Sequence, residues 1–574
     1  MGKISRVVDV MSVPATGDAE RAVVSTEGLV ARGPVRCCDL LIVGGGTGGA
    51  AAALAAASQG LDVCLTEETD WLGGQFSAQG VSALDEHDHI EQFGGTARYY
   101  DFRNRLRRHY RDLARPEARV EAFNPGRCWV TRLAFEPAVA ARTVKAMIEE
   151  QPGPLSLFLR TKPFAAVSEG NSVRQVSVVN LETREVTVFE PRLVIDATEL
   201  GDLLALADVE HVIGAEAAAD TGEPGGHPAG HREHCVQSFT YTFGLERYAS
   251  GEINLIEQPA GYEKNRSGQP YSLEIEVHGG EIYGEHSGHL RYSVFDTLPD
   301  TKGSLWTYRR LLDASLFPDV ARDISMINWP GNDYRSVNIL TATPEATATA
   351  LQEAKAVSLG FLYWLQTEAP AEGNRIGAPE LRLRNDIMGS ADGLAKFPYI
   401  RESRRIRAVR TVREQDVSAN FQEGLRAAHF ADSVGIGWYP IDIHRSTPDE
   451  VGTSARTKPF QIPLGALLPR KTGNLIAGAK NIGVTHITNG CFRLHPVEWN
   501  IGEAAGHLCA LSLKQGRPLR AFHDDAQALR AYQNQLLQAG IPLAWLTEVG
   551  VSAPQFSKAQ RDFMDRPDEF ADRL

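Results

Sequence analysis

A glycine-rich hexapeptide, GGGTGG, has the residue types and the spacing to bind a phosphate group. It contains the pattern G-x-G-x-x-G as Gly44, Gly46 and Gly49, with Thr47 and Gly48 between the last two glycines. Glycines allow a tight turn and a close approach of the backbone to a pyrophosphate. The N–H groups and the dipole at the start of a following helix then stabilise the negative charge. The chemistry predicted for this segment is therefore the binding of a dinucleotide.

An acidic residue stands where a partner of this turn is expected. Glu67 lies 18 positions beyond Gly49, and Glu68 follows it directly. A carboxylate at this distance accepts hydrogen bonds from ribose hydroxyls, and its charge would repel a 2′-phosphate. These residues alone leave the choice between NAD and FAD open.

The elements around the turn have the order that this chemistry requires. Residues 39–43 form a short apolar run that predicts a buried strand, and residues 48–59 predict a helix. Gly60 stands at the C′ position, where glycine commonly ends a helix. Residues 61–65 predict the next strand, so the segment forms one β-α-β unit.

Hydrophobic periodicity and turn residues predict the remaining elements in outline. An arginine-rich helix with an apolar inner face and a charged outer face covers residues 102–113, and a small β-meander at 155–195 returns to the main sheet. A long helix begins at Thr343-Pro344, a cap followed by proline, and ends near Thr367. The other predictions are a loop at 216–235, strands at 434–444 and 474–478, a helix at 500–514, and a mostly helical segment at 519–574.

Three further segments resemble motifs of FAD-dependent flavoproteins. The first, WLGGQ, follows the acidic residue and contains Gly73, Gly74 and Gln75. The second, VIDATELGD, contains Thr198 and resembles a strand that returns to the sheet before an Ala-Thr-Gly turn. The third combines NLIAGA, which contains Gly478, with RLHP and NIGEAAG further along the chain.

With these segments and residues 397–405, the chain resembles the FAD-dependent oxidoreductase family within the glutathione-reductase-like flavoproteins. The resemblance extends in pieces over roughly residues 36–516 and implies FAD as the cofactor. The cofactor-binding residues that it implies, together with the glycine turn, are Gly44, Gly46, Thr47, Gly48, Gly49, Glu67, Glu68, Gly73, Gly74, Gln75, Thr198, Gly478, Asn500 and Ile501.

The helix of the closing motif has a predicted cap. Asn500 and Glu503 have the spacing of a capping box, in which two side chains satisfy the free N–H groups at a helix start. The resemblance implies that this helix start faces the flavin. Its partial positive charge would then stabilise an anionic reduced flavin.

The segment before this helix contains the first candidates for substrate chemistry. We hypothesise that His495 lies beside the isoalloxazine as an acid or base and that Arg493 orients an anionic group or the cofactor. The alternative for His495 is a structural, hydrogen-bonding histidine.

Two other polar groups are weaker candidates. Asp442 and His444 share one face of a predicted strand, where they either meet the substrate or form a satisfied surface pair. Arg404 belongs to a basic run, in which a solvated or salt-bridged face is the default and a carboxylate clamp is the alternative. The run consists of Arg401, Arg404, Arg405 and Arg407.

Histidines and cysteines do not predict a metal centre. A loop rich in glycine and proline has the pattern H-x3-H-x2-H-C at His227, His231, His234 and Cys235. These are metal-ligand types, but a loop without a rigid frame is poor support for a site, so we predict none. Seven cysteines without a C-x-x-C pair argue against a disulfide framework and favour reduced thiols in a cytoplasm.

Length and charge exclude several classes of protein. The chain has 574 residues, 43% of them hydrophobic, which excludes a mainly disordered protein. With 59 basic and 72 acidic side chains the net charge is −13, which argues against a nucleic-acid partner. Residues 1–20 lack the apolar region of a signal peptide, and no apolar run predicts a membrane span, so we expect neither. We expect a cytoplasmic protein, with a homo-oligomer possible.

These observations predict an α/β fold with a discontinuous Rossmann-type FAD-binding domain at 36–80, 140–215 and 456–516. An interleaved mixed α/β substrate domain covers 81–139 and 216–455, between an N-terminal segment at 1–35 and a helical C-terminal extension at 517–574. The predicted function is an oxidase or dehydrogenase that abstracts a hydride from a C–H next to O or N of a small molecule, with O2 or another acceptor as oxidant. The alternatives are an NAD(P)H-dependent flavin monooxygenase, a redox-silent or structural flavin protein, and a flavin subunit of an electron-transfer complex.

Overall fold

The computed structural model describes residues 2–29, 33–280, 284–447, 450 and 452–574. Its helices are α1 Thr47–Ser58, α2 Ala97–Leu113, α3 Pro137–Glu149, α4 Asp202–Leu206, α5 Ala218–Thr221, α6 Tyr262–Gly268, α7 Leu305–Tyr308, α8 Pro344–Thr367, α9 Asn385–Met388, α10 Glu414–Val417, α11 Leu464–Leu467, α12 His486–Phe492, α13 His495–Gln515, α14 Ala521–Asp524, α15 Ala526–Gln538 and α16 Phe556–Asp565.

The strands are short outside the main sheet. They are β1 Gly2–Lys3, β2 Arg6–Val8, β3 Val23–Ser25, β4 Val35–Val43, β5 Val63–Thr66, β6 Leu155–Phe158, β7 Thr161–Glu169, β8 Ser172–Asn180, β9 Val186–Asp196, β10 His211–Val212, β11 Phe239–Thr240, β12 Phe243–Arg247, β13 Glu274–Gly280, β14 Gly284–Arg291, β15 Arg310–Leu312, β16 Ile324–Ile327, β17 Asp333–Tyr334, β18 Leu381–Leu383, β19 Arg405–Ile406, β20 Ser433–Gly437, β21 Ile441–Ile443, β22 Thr453–Ala455, β23 Phe460–Pro463 and β24 Leu475–Ala477.

An eight-stranded sheet forms the centre of the molecule. Its strand order is β1-β7-β8-β9-β4-β5-β6, and β24 pairs with the end of β9. The pairs β9-β4, β4-β5, β5-β6 and β9-β24 are parallel, whereas β7, β8 and β9 form an antiparallel meander. The carboxyl ends of β4, β9 and β24 therefore meet at one edge, where ligands of parallel sheets bind. The predicted α/β fold with a Rossmann-type sheet is confirmed.

Helix α1 is buried on all sides because it lies between the sheet and α13. Its residues from Thr47 to Ala57 are all buried, and all but Thr47 and Leu54 are glycine or alanine. A Cβ atom at Gly502 of α13 would lie 1.9 Å from the carbonyl oxygen of Gly48, and one at Gly506 would lie 2.4 Å from that of Ala52. The two helices thus touch backbone to backbone, which only small side chains permit.

The structure corrects three predicted elements. The helix predicted at 500–514 begins five residues earlier at His495, with Pro496 in its first turn, because proline fits positions without an intrahelical N–H bond. The strand predicted at 434–444 is two strands, β20 and β21, separated at a proline, Pro440. The meander predicted at 155–195 consists of β7, β8 and β9 only, because β6 at its start pairs in parallel with β5.

Two predicted helices show how far local sequence patterns predict the structure. Helix α8 is confirmed, with the Thr343 hydroxyl accepting from the N–H of Ala346 and proline at the first position. The prediction for α2 is wrong in part, because two of its arginines are buried rather than on a charged outer face. Arg103 pairs with Glu86 at 2.9 Å and with Glu91 at 2.7 Å, carboxylates that come from outside the helix.

The last helices of the chain pack against the core. Tyr532 of α15 donates a hydrogen bond to the carbonyl of Ala504 in α13 at 2.6 Å, and Trp545 donates to the carbonyl of Gly437 at 3.0 Å. Among the helices of the described ranges, none has the length and apolar character to cross a bilayer. The domain boundaries stay a prediction from the sequence.

Candidate active site

A narrow cleft follows the carboxyl ends of β4 and β9, and glycines shape it. Gly44 has φ of +97°, and a Cβ atom there would lie 2.4 Å from the carbonyl oxygen of Ala197. A Cβ atom at Gly49 would lie 1.9 Å from the carbonyl oxygen of Gly44. The turn is therefore closed to any other residue at these positions, and the start of α1 borders a cleft lined by Gly44, Gly46, Glu67, Glu68, Gly74, Thr198 and Glu199.

Glu67 lies in this cleft with a buried carboxylate. One oxygen accepts a hydrogen bond from the N–H of Gly45 at 2.8 Å, and the other accepts from the N–H and hydroxyl of Thr69. Burial and the neighbouring Glu68 outweigh these bonds and raise the pKa of Glu67 to about 7. Glu68 pairs with Lys162 at 2.5 Å. The glycines, this carboxylate and the helix start form a donor and acceptor set that fits the pyrophosphate and ribose of a dinucleotide.

Other predicted residues gather around the start of α1. The Thr47 hydroxyl donates to the carbonyl of Gly73 at 2.8 Å, which ties the two glycine segments together. The Gln75 amide donates to the carbonyl of Arg493 at 2.8 Å, next to the start of α13. A Cβ atom at Gly48 would lie 2.0 Å from the carbonyl oxygen of Gly478, so β24 closes the same region.

His495, the first residue of α13, is buried and fully hydrogen bonded. Its Nδ1 accepts from the N–H of Asp85 at 3.0 Å, and its Nε2 donates to the carbonyl of Val81 at 3.1 Å. Burial lowers its pKa to about 4. A neutral ring with both nitrogens bonded to the backbone matches the structural alternative for His495 and not the acid–base role.

A second, larger cavity of about 650 Å³ lies on the other side of Arg493. Arg493 lines it, donates to the Tyr399 hydroxyl at 2.7 Å and pairs with Asp442 at 3.2 Å. The Arg493 side chain is 2% exposed. Because the Arg493 carbonyl is bonded to Gln75 and its side chain lines the cavity, this residue connects the glycine cleft to the cavity.

His444 lies between two carboxylates in the wall of this cavity. Its Nδ1 is 2.6 Å from an oxygen of Asp333, and its Nε2 is 3.5 Å from an oxygen of Asp442. Burial and Arg401 disfavour the imidazolium, but the two carboxylates outweigh them and raise the pKa of His444 above its ordinary value. Burial alone would raise the pKa of Asp333, yet Arg401 and His444 lower it to about 2. This group therefore has ionised carboxylates on both sides of an imidazole whose protonated form they stabilise.

A family comparison identifies the cofactor. The model of the family described as FAD dependent oxidoreductase matches residues 39–536. The chain belongs to this family. The cofactor of this FAD-dependent oxidoreductase is therefore FAD, and the protein is an enzyme. The resemblance found in the sequence is confirmed at the level of the family, whereas the glutathione-reductase-like subtype stays a prediction.

Solved flavoproteins are similar to parts or most of this oxidoreductase. The flavin-dependent monooxygenase PieE, in complex with FAD and substrate, is 10% identical over 93% of this chain and 69% of its own, with a TM-score of 0.34. E. coli quinol fumarate reductase FrdA is 11% identical over 88% and 75% of the two chains, with a TM-score of 0.30.

A third structure is similar over a shorter region. L-proline dehydrogenase from P. horikoshii is 17% identical over 33% of this chain and 26% of its own, with a TM-score of 0.18. The similar region thus spans about a quarter of that dehydrogenase. No curated protein sequence matches the oxidoreductase. The family match alone therefore decides the assignment.

Some predicted residues lie away from the cleft and the cavity. Asn500 is not the cap of α13; its amide oxygen accepts from the N–H of Ile436 at 3.2 Å and its amide nitrogen donates to the carbonyl of Val434, so it anchors β20. The capping box with Glu503 is wrong, because Glu503 accepts from the indole of Trp499 one turn further into the helix. Ile501 is buried in the hydrophobic core of α13.

The basic run contributes a different arginine to the cavity from the one predicted. Arg404 donates to the carbonyls of Leu200 and Leu340 and pairs with Asp202, and it does not line the cavity. Arg401, three positions earlier, lines the cavity and pairs with Asp333 at 3.0 Å. The irregular backbone of this run decides which guanidinium faces inward, so residue types alone could not.

The histidine-rich loop has other partners. His227 accepts from the N–H of Ala229 at 3.2 Å, and the Cys235 thiol donates to Glu450 at 3.2 Å. Within the described ranges, no group of three or more histidine, cysteine or acidic side chains has the arrangement to hold a metal ion.

Several site residues were missed by the sequence reasoning. Arg309 pairs with Asp85 at 2.8 Å in the cavity wall, and Asp333 orients His444. Glu199 and Lys480 border the glycine cleft as an ion pair. A charged residue within an otherwise apolar segment, as in VIDATE and LIAGAK, was the signal that could have found the last two.

Proposed function

We propose that this oxidoreductase dehydrogenates a small, polar, uncharged molecule in the 650 Å³ cavity, at a C–H bond next to a hydroxyl or an unprotonated amine. Dioxygen or another acceptor is the final oxidant. The observation that supports the proposal is His444, held between Asp333 and Asp442 in a cavity that is next to the cofactor cleft. When bound, FAD supplies the two-electron chemistry.

The charges of the cavity wall favour an uncharged substrate. Each of the three buried arginines already has an aspartate partner, so the deep wall has little net charge to attract a strong ion. The pairs are Arg309–Asp85, Arg401–Asp333 and Arg493–Asp442. Asp442 is 32% exposed, so its carboxylate is accessible to hydroxyl or amine groups of a ligand.

The proposed role of His444 is to take the proton that leaves the substrate. Oxidation of an alcohol to a carbonyl removes one hydride from carbon and one proton from oxygen. Asp333 holds Nδ1 of His444, which leaves Nε2 on the side of Asp442 and the cavity. Arg493 and the hydroxyl groups of Tyr308, Tyr399 and Tyr439 then position the substrate oxygen.

An anaerobic reduction assay tests the proposal. The purified, FAD-containing enzyme is mixed with polyols, sugars, amines and amino acids while the flavin band at about 450 nm is recorded. We expect an uncharged hydroxyl or amine compound to bleach the band without a pyridine nucleotide. Replacing His444→Gln should lower the reduction rate by about 10²–10⁴-fold, the typical contribution of a general base.

The control variant is His109→Gln, since His109 is an exposed histidine on α2. It should leave both FAD content and reduction rate unchanged. Bleaching only with NAD(P)H would replace the proposal with a flavin monooxygenase, and a His444→Gln enzyme at full rate would remove His444 from the chemistry. Turnover without a change of flavin colour would indicate a redox-silent flavin, and activity only with added cell extract would indicate an electron-transfer subunit.

A further inference from the structure

A buried charged cluster lies at the cofactor cleft and consists of Glu199, Lys480 and Glu498. The ammonium group of Lys480 contacts the Glu199 carboxylate and lies 3.5 Å from that of Glu498. The side chains of Lys480 and Glu498 are 0% and 1% exposed. Burying such charges is costly unless they are paired or meet a ligand.

The cluster lies where two helices begin. Glu498 is in the first turn of α13, and its carboxylate accepts a bond of 3.4 Å from the N–H of Gly48 in the first turn of α1. Its second oxygen accepts from the Gln75 amide at 2.6 Å. Both helices thus direct their positive ends toward this carboxylate, which is the arrangement that also attracts a phosphate.

Glu199 faces the glycine turn directly. A Cβ atom at Gly46 would lie 2.5 Å from its Oε1, and one at Gly74 would lie 2.6 Å from the same oxygen. This oxygen is buried and has no hydrogen-bond partner among the described residues. A buried, unpartnered carboxylate oxygen therefore borders the two glycines expected to contact an anionic pyrophosphate.

Carboxylates outnumber ammonium groups around the cleft. Four glutamates, Glu67, Glu68, Glu199 and Glu498, face two lysines, Lys162 and Lys480, so two negative charges remain when all are ionised. Asp202 and Asp9 act electrostatically on Glu68 and Lys162 from the neighbouring elements, and Tyr399 acts on Lys480. The excess carboxylates repel a dianionic pyrophosphate, and a proton bound with it would reduce this repulsion.

We propose that Glu199, Lys480 and Glu498 are part of the FAD site and that binding of FAD takes up a proton from water onto this group of carboxylates. Lys480 then offsets the charge of the diphosphate, while the protonated carboxyl removes the repulsion. The geometry is supported by the raised pKa of Glu498, about 7, which results from burial and from Glu199. This inference concerns cofactor binding and is independent of the proposed substrate.

Titration of the full-length, FAD-stripped protein with FAD tests the inference. Binding is followed by quenching of protein fluorescence between about pH 6 and 8.5, and by calorimetry in two buffers of different ionisation enthalpy. Uptake of one proton predicts that Kd rises by up to about tenfold per pH unit above about pH 7. For one proton taken up, the heats of binding in the two buffers should differ by the difference between the ionisation enthalpies of the buffers. A Kd that does not change with pH and equal heats in both buffers would overturn the proposal.

Variants assign the effect to the cluster. Glu199→Gln should tighten FAD binding at pH 8 and flatten its pH dependence, since the repulsion is removed without protonation. Lys480→Met should weaken FAD binding by at least about tenfold, because two carboxylates lose their counter-charge. The double variant Glu199→Gln/Lys480→Met has the same net charge as the wild type. It therefore tests the cluster even if a single variant, which leaves a buried charge unpaired, fails to fold.

The matched control is an exposed lysine–glutamate pair, Lys471 and Glu210, on the surface. Lys471→Met and Glu210→Gln should leave the Kd for FAD and its pH dependence unchanged. If Glu199→Gln and the double variant bind FAD with the wild-type Kd at both pH 6 and pH 8, the cluster is not part of the FAD site.

Discussion

The glycine cleft and the proposed substrate cavity are shaped by different parts of the chain. In the cleft, close contacts between backbone atoms set the shape. A Cβ atom added at Gly48 or Gly49 would lie 2.0 Å or less from a carbonyl oxygen. The cavity wall is formed by polar side chains from distant segments. Arg401 and His444, for example, both pair with Asp333. A substitution in a site made of close-packed backbone is expected to disturb the fold. A substitution in a site made of paired side chains is expected to alter the pKa values and the activity while the fold is retained.

The largest effect that separates the two regions is expected at the contact between α1 and α13. Gly502→Ala would place a Cβ atom 1.9 Å from the carbonyl oxygen of Gly48, so the helices must move apart. We expect a loss of about 3 kcal/mol or more of unfolding free energy, at the upper end for overpacked cores, and loss of bound FAD. Thermal unfolding and the flavin content of the purified protein measure both.

Gly424→Ala is the matched control, because a Cβ atom there has no neighbour within 4 Å. It should retain FAD and the wild-type melting temperature. If Gly502→Ala also retained them, the two helices would not need their close contact, and the contrast with the cavity would fail.

A smaller and purely chemical effect is expected at Asp442 in the cavity. Neutral His444 is the proposed base, so the reduction rate should rise with pH as the imidazolium loses its proton. Asp333 and Asp442 raise the pKa of His444, which places this rise above the ordinary pKa of about 6.5. Asp442→Asn removes one of these charges and should shift the rising limb to lower pH by about one unit, with FAD content unchanged. An unshifted limb, measured by anaerobic flavin reduction between about pH 5 and 9, would contradict the role of His444.

The smallest effect is expected at Arg404, which lies outside both regions. Arg404→Gln removes bonds to the carbonyls of Leu200 and Leu340 and should cost about 1–2 kcal/mol of stability. The rate of flavin reduction and the Kd for FAD should stay within about twofold of wild type. A loss of activity without a loss of stability would place Arg404 in the chemistry after all.

The sequence predicted the cleft better than the cavity for a physical reason. Gly44, Gly49 and Glu67 act through local backbone geometry, so their spacing already describes the turn. Asn500 was misread because Asn-x-x-Glu matches a cap locally, while its actual partners lie on β20, more than sixty residues away in the chain.

The pairs of the cavity bring together even more distant positions. Asp333 meets His444 across 111 residues, and Arg309 meets Asp85 across 224. No local period encodes such meetings, because they depend on how separate segments are placed by the sheet and by α13. The residue pairs of this cavity are therefore visible only in three dimensions.

The close packing of α1 against α13 also has a consequence for synthesis on the ribosome. Helix α1 ends at Ser58, but its partner α13 is complete only at Gln515, and β24 joins the sheet at Leu475–Ala477. At elongation rates of about 5–20 residues per second, roughly 20–90 s pass between the synthesis of the alanine-rich helix α1 and that of α13, which packs against it. The cleft between these elements is therefore complete only after about nine tenths of the polypeptide has been translated, which leaves a long interval in which chaperones can engage the nascent chain.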